Sequence, residues 1–249
     1  MPDKDSATPR VFLLRHGQTE WSNLGTFTGT SEIPLTDAGK KNVEATASHL
    51  IGPGLLIDPA KILRVYNSPR VRAKETLQCL REKFGTAKGT VDRRNTEAVA
   101  EWGYGDYEGL LTHEIRALRE ERGLDKERPW DIWRDGCEGA GSEGPDDVAG
   151  RVDGVIREIL ELHGQYLAGT LPSTIEVGGE TVSAEGKRDV LIVAHGHVLR
   201  AFVKRWLGMD MSQRFRVMIE PGGVVVLSYE HGKLDERALV AGWAVPGLA

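Results

Sequence analysis

The chain has 249 residues, 40% hydrophobic and 28% charged, enough to enclose one full-sized core as a single domain over residues 1–249. Its formal net charge of −5 makes the whole molecule a poor binder of polyanions, so nucleic acid is not an expected partner and an anionic substrate must meet a local cluster of cations. No apolar run approaches the ~18 residues of a membrane-spanning helix, and the polar start MPDKDSATPR does not read as a secretory signal. Two cysteines, Cys79 and Cys137, exclude a disulfide scaffold and a zinc finger. The expectation is a cytoplasmic protein with no membrane partner, the nucleus and self-association being left open.

Residues 11–14 are continuously apolar and read as a buried strand that delivers Arg15 and His16 at its carboxyl end. After a loop with Gly25 and Gly29, Thr36 fits an N-cap, and Val43, Ala47, Leu50 and Ile51 follow at helical spacing. Residues 62–66 read as a second strand. The helix behind it opens with Arg70 and Arg72 and carries Ala73, Leu77, Leu80 and Phe84 on one face. The stretch 101–143 is polar and glycine-punctuated despite Trp102, Trp130 and Trp133, and reads as a helical lid (residues 102–143) laid over one end of the sheet rather than as core. Val148, Val152, Val155, Ile156 and Ile159 mark an amphipathic helix. Residues 164–188 shift to Gly, Ser, Thr and Glu and read as a flexible linker, with a hairpin turning at Gly178 and Gly179. Residues 190–194 form the most hydrophobic strand, expected at the centre and ending at His195. A helix with Val198, Phe202 and Trp206 follows, and then a last strand over 224–229. This alternation predicts an α/β fold, a three-layer α/β/α sandwich on a mostly parallel sheet.

Three phosphate or nucleotide motifs fail on spacing. GYGDYEG is one residue too long for a dinucleotide fingerprint, 179–187 does not space a P-loop, and neither cysteine has an arginine six positions on. What remains is a pair of strand ends, one carrying Arg15, His16 and Gly17, the other His195 and Gly196. Ligands bind at that edge of open α/β sheets. A neutral imidazole can attack phosphorus if a neighbour fixes its tautomer and cations neutralise the phosphoryl oxygens. Arg15 and Arg72 suit the latter task because a guanidinium forms paired hydrogen bonds to phosphate.

LLRHGQTEW (13–21), SPRVRAKET (68–76), EWGYGDYEG (101–109) and VAHGHVLR (193–200) resemble, in order and spacing, the motifs of the histidine phosphatase, or phosphoglycerate mutase-like, superfamily. The resemblance implies that His16 becomes phosphorylated, that Arg15, Arg72 and His195 form the phosphate pocket, and that Gln18, Thr19 and Asn23 support it. It makes Glu101 the general acid and then the base, its carboxyl raised in pKa by a neighbouring phosphate dianion. Tyr104, Gly196 and Arg200 would add substrate contacts, and no metal or other cofactor is implied. Residues 101–139, with LDKERPW and IWRDGCE, resemble the fungal sedoheptulose-1,7-bisphosphatases, as does the ending GGVVVLSYEHG, which would bring His231 to the distal part of a phosphorylated sugar. The 164–188 linker and a short segment between Phe202 and Pro221 depart from that group. The alternatives are a cofactor-dependent phosphoglycerate mutase, disfavoured because Asp135 would repel a bisphosphoglycerate primer, a phosphatase of broad specificity on small esters, and a catalytically dead scaffold.

Overall fold

The computed structural model describes residues 8–84, 91–177 and 180–241. In chain order the elements are β1 (Val11–Arg15), α1 (Glu20–Leu24), α2 (Asp37–Leu50), β2 (Ile62–Asn67), α3 (Val71–Cys79), β3 (Asp92–Asn95), α4 (Thr112–Glu121), α5 (Ile132–Asp135), α6 (Pro145–Leu167), β4 (Thr174–Val177), β5 (Glu180–Ser183), β6 (Asp189–Ala194), α7 (Gly196–Trp206), β7 (Val224–Tyr229) and β8 (Arg237–Val240). Six strands form one sheet in the order β3-β2-β6-β1-β7-β8, while β4 and β5 pair separately. The four strands β3, β2, β6 and β1 run parallel, and β7 is antiparallel to β1.

The two-residue alternation of a strand sorts the core into two layers. From β1 and β6, Val11, Leu13, Val190, Ile192 and Ala194 pack on one side with α6 and α7. Phe12, Leu14, Leu191 and Val193 pack on the other with Val43, Ala47 and Ala73 from α2 and α3. The sandwich is therefore three-layered, with β6 and β1 at its centre. Truncating a central residue such as Ile192, fully buried, to alanine would cost about 2–5 kcal/mol.

The hairpin strands fall at 174–177 and 180–183 as expected, the turn itself lying outside the described residues. Several expectations need correction. Residues 164–167 belong to α6, and Ala184, near the other end of the expected linker, is buried with Leu63 and Leu162. Helix α3 stops at Cys79, so Leu80 and Phe84 reach the core from a turn. The expected lid contributes to the core instead of merely covering it: Trp102, Tyr104, Tyr107 and Trp130 join the cluster of α6 and α7. Their burial is tolerated because the polar handles are met, Trp102 Nε1 donating to the Glu143 carbonyl at 2.8 Å and Trp130 Nε1 to that of Gly136 at 2.9 Å, while the hydroxyls of Tyr104 and Tyr107 meet the side chains of His197 and Arg119.

Candidate active site

Strand register brings the predicted residues to one edge. Arg15 lies opposite Ala194 and Asn67 opposite Val193, so the chain leaves β1, β2 and β6 at His16, Ser68 and His195 together. Gly17 follows the turn because α2 packs directly on it. A Cβ there would meet Val43 Cγ2 at 2.7 Å and the Gly39 carbonyl at 3.0 Å.

A cleft of about 130 Å³ opens at this edge, lined among others by Arg15, His16, Thr19, Glu101, Tyr104, Gly196 and Arg200. In its floor the His16 Nδ1 lies 2.7 Å from the Gly17 carbonyl. A carbonyl only accepts, so Nδ1 carries the proton and the lone pair sits on Nε2. Burial, with Arg72 and Arg15 close by, holds the His16 pKa well below 6.5, and the ring is neutral at physiological pH. The His195 ring lies 5.1 Å from that of His16, centroid to centroid. Its Nδ1 accepts from Arg72 Nε at 3.0 Å, which leaves the proton on Nε2 to be donated to Ser68 Oγ at 2.6 Å.

The two arginines behave differently from the expected pair of phosphate clamps. Arg72 is fully buried, and besides His195 it donates to the carbonyls of Ser31, Thr28 and Gly29 at 2.8, 2.9 and 3.0 Å. Those four bonds leave one of a guanidinium's five N–H groups. Arg72 and His195 thus stand behind His16 and not on the cleft wall. Arg15 uses one N–H on the Ile219 carbonyl at 2.8 Å, and among the described residues its buried Nε has no hydrogen-bond partner.

Glu101 is clasped by three backbone N–H groups: Oε1 accepts from Trp102 and Val198, both at 2.9 Å, and Oε2 from His197 at 3.0 Å. Burial alone would push this carboxyl up, but His197 and the three hydrogen bonds outweigh it and lower its pKa. Without a phosphate beside it the group is a carboxylate, opposite to the raised pKa expected for the liganded site.

Thr19 caps α1, its hydroxyl accepting from the Ser22 N–H at 3.0 Å. Arg200 reaches the cleft wall while its Nε donates to the Val217 carbonyl at 3.1 Å. Gln18 and Asn23 bond each other at 2.5 Å and form no part of that wall. His231 is misplaced by the sequence reading. Being antiparallel to β1, β7 starts at the site edge and carries the chain over six residues, roughly 20 Å, to the opposite edge. There His231 is exposed and pairs with Glu236 at 2.6 Å. Asp135 is also off the wall, and Arg128 donates to its two oxygens at 2.8 and 2.6 Å. Sequence reasoning passed over Phe27 and His197, which line the cleft. His197 Nδ1 lies 2.7 Å from the Tyr104 hydroxyl, and its place two residues after His195 was the available signal.

The profile of the histidine phosphatase superfamily (branch 1) matches residues 11–168 and 174–241, and the chain belongs to that superfamily of phosphatases. It is 33% identical to sedoheptulose 1,7-bisphosphatase of Saccharomyces cerevisiae, over 94% of this chain and 92% of that protein. It is 32% identical to an acid phosphatase of Mycobacterium tuberculosis, over 90% of this chain and 88% of that one. The solved structure of the Mycobacterium tuberculosis open reading frame Rv3214 superposes with a TM-score of 0.66 at 28% identity, covering 94% of this chain and 96% of that one.

Proposed function

We propose that the chain is a metal-independent phosphomonoester hydrolase working through phosphorylated His16, with sedoheptulose 1,7-bisphosphate or a related sugar bisphosphate as substrate. The observation that carries this reading is the state of His16. Its ring is neutral, its proton is pinned to Nδ1 by Gly17, and Nε2 is left for attack in a cleft that also holds Glu101 and the unpartnered Nε of Arg15.

In the first step Nε2 bonds to phosphorus and the P–O bond to the sugar breaks, its electron pair leaving on the sugar oxygen. Arg15 neutralises the phosphoryl oxygens, and burial together with Arg72 keeps His16 unprotonated. A dianionic ester beside Glu101 raises the carboxyl's proton affinity, so a proton taken up on binding is passed to the leaving oxygen. Glu101, again a carboxylate, then removes a proton from a water whose oxygen bonds to phosphorus, the P–Nε2 bond breaks with its electron pair returning to His16, and inorganic phosphate is released. The sugar bisphosphate is supported by the likeness to the yeast enzyme and by Arg200 on the cleft wall, a cation for a second anionic group.

The test is mass spectrometry of the protein quenched after brief exposure to substrate, with initial rates on sedoheptulose 1,7-bisphosphate, fructose 1,6-bisphosphate and 3-phosphoglycerate. Phosphate on His16 and preference for a bisphosphate are expected. Unphosphorylated His16 overturns the mechanism. Phosphoryl transfer between carbons of phosphoglycerate supports the mutase alternative, and preference for monophosphates supports the broad-specificity one. Rates undiminished by EDTA are expected of a site whose positive charge comes from arginine.

A further inference from the structure

Glu108 lies in the same 101–109 motif as Glu101, yet the chemistry above makes no use of it. Its carboxylate is turned away from solvent chemistry and onto the loop that holds Arg72. Oε1 accepts from the N–H of Gly29 at 3.0 Å and of Ser31 at 2.9 Å, and Oε2 accepts from Gly29 at 2.9 Å. The same short stretch turns its carbonyls the other way. Thr28, Gly29 and Ser31 accept from the two terminal nitrogens of Arg72. A Cβ on Gly29 would meet the Trp102 carbonyl at 2.5 Å and Glu108 Oε2 at 2.9 Å, so the loop is pressed against the segment that carries both glutamates.

A loop with no regular structure would otherwise be free to shift, and with it the three carbonyls that fix the guanidinium. We infer that Glu108 is a positioning residue for phosphoryl transfer, fixing Arg72 behind His16 through the backbone of residues 28–31. Arg72 in turn orders His195, so one carboxylate outside the cleft governs two of the groups that surround the nucleophile. The inference rests on the reading of His16 as nucleophile.

The expected consequence is specific to the chemical step. With Arg72 loosened, its repulsion of a proton on His16 weakens, and His16 becomes easier to protonate. Glu108→Ala should lower kcat by about 10–100-fold on p-nitrophenyl phosphate and on the sugar bisphosphate alike, with KM changed less. The acid limb of its kcat/KM profile should move up towards pH 6.5. Glu108→Gln should restore most of the rate, since one amide oxygen can still accept from Gly29 and Ser31. A lowered melting temperature with kcat and acid limb unchanged would mean a merely structural role and overturn the inference. If Glu108→Ala does not fold, Glu108→Met, which keeps the side chain's length but accepts from neither N–H, takes its place: a kcat loss with the upward shift supports the inference, and an unmoved profile overturns it. His16 phosphorylated in the unmodified enzyme with indifferent Glu108 variants defeats this inference alone. Absence of phosphate on His16 defeats the reading beneath it.

Discussion

Beneath His16, Arg72 commits four N–H groups to His195 and three carbonyls and is sealed from solvent. At the mouth, among the described residues, Arg15 and Arg200 each donate one hydrogen bond to the backbone between Val217 and Ile219 and keep other donors for whatever enters. The floor is a finished electrostatic environment that sets the protonation of the nucleophile. The mouth is an unfinished one that a substrate completes. On the proposed function Arg15 serves the transferred phosphate and Arg200 the rest of the substrate, so Arg200 can be perturbed separately from the floor.

The division is broken most severely from the floor. His16→Ala should abolish phosphate release on every ester while the far-ultraviolet circular dichroism spectrum stays native, and residual turnover in a folded variant would contradict the nucleophile. Next comes Glu101→Gln, expected to slow sugar esters by about 100- to 10,000-fold, the usual worth of general acid catalysis. p-Nitrophenyl phosphate, whose phenolate leaves without help, should suffer less in the first step. Equal losses would reduce Glu101 to a positioning group.

At the mouth the effect should be smaller and selective. Arg200→Ala should raise KM for a seven-carbon bisphosphate by roughly 10- to 100-fold, the range of a lost hydrogen bond to a charged group, and leave p-nitrophenyl phosphate nearly unchanged. A uniform change would remove Arg200 from the selective wall.

The gentlest test sharpens the comparison with a histidine far from either region. His163 is fully buried, its Nδ1 2.7 Å from the Tyr229 hydroxyl, and burial pushes its pKa down to about 3. A histidine neutral in the fold takes up a proton on unfolding below its ordinary value of about 6.5, so its contribution to stability is intact above that pH and lost as pH falls from there towards 3. The slope is about 1.4 kcal/mol per pH unit for each such group. Urea unfolding of His163→Phe between pH 7 and pH 5 should show a shallower decline than the unmodified protein. An identical decline would mean that His163 is already charged in the fold. His16 differs in that arginines add to burial, and on the proposed mechanism its neutrality serves the reaction as well.

The sequence displayed the buried half of this architecture and hid the rest for physical reasons. Strands β1, β2, β6 and β7 are apolar runs, and Thr36 caps α2 through its own hydroxyl, which accepts from the Gly39 N–H at 2.9 Å. Strand β3 escaped notice because it reads Asp-Arg-Arg-Asn: it is an edge strand anchored by the Arg64–Asp92 ion pair at 2.5 Å, and no hydrophobic pattern announces it. The tryptophans of the expected lid were misjudged because their glycine-rich, polar surroundings disguise rings buried by backbone hydrogen bonds. At the site, motif residues at strand ends were legible, since register aligns those ends. The direction of β7 was not, and it carries His231 to the opposite edge. Nor could spacing show that Arg72 faces backbone carbonyls, because those belong to a loop about 40 residues away in the chain.

The reversal of β7 also determines where variation can be accommodated. The Gly222 N–H bonds the carbonyls of both Arg15 and His16 at 3.1 Å, and the Arg15 N–H bonds the Gly223 carbonyl at 3.1 Å. The chain is thus stitched to the edge that carries His16 just before β7 begins, while the irregular stretch ahead of it, with Met218 82% exposed, supplies the carbonyls that hold Arg15 and Arg200. Met211 and Ile219 of that stretch are buried in the core, so change without cost to the sheet is confined to its exposed positions, Met218 first among them. On the proposed function, a substitution at Met218 would retune the mouth from its rim while the edge that carries His16 stays clamped by Gly222 and Gly223.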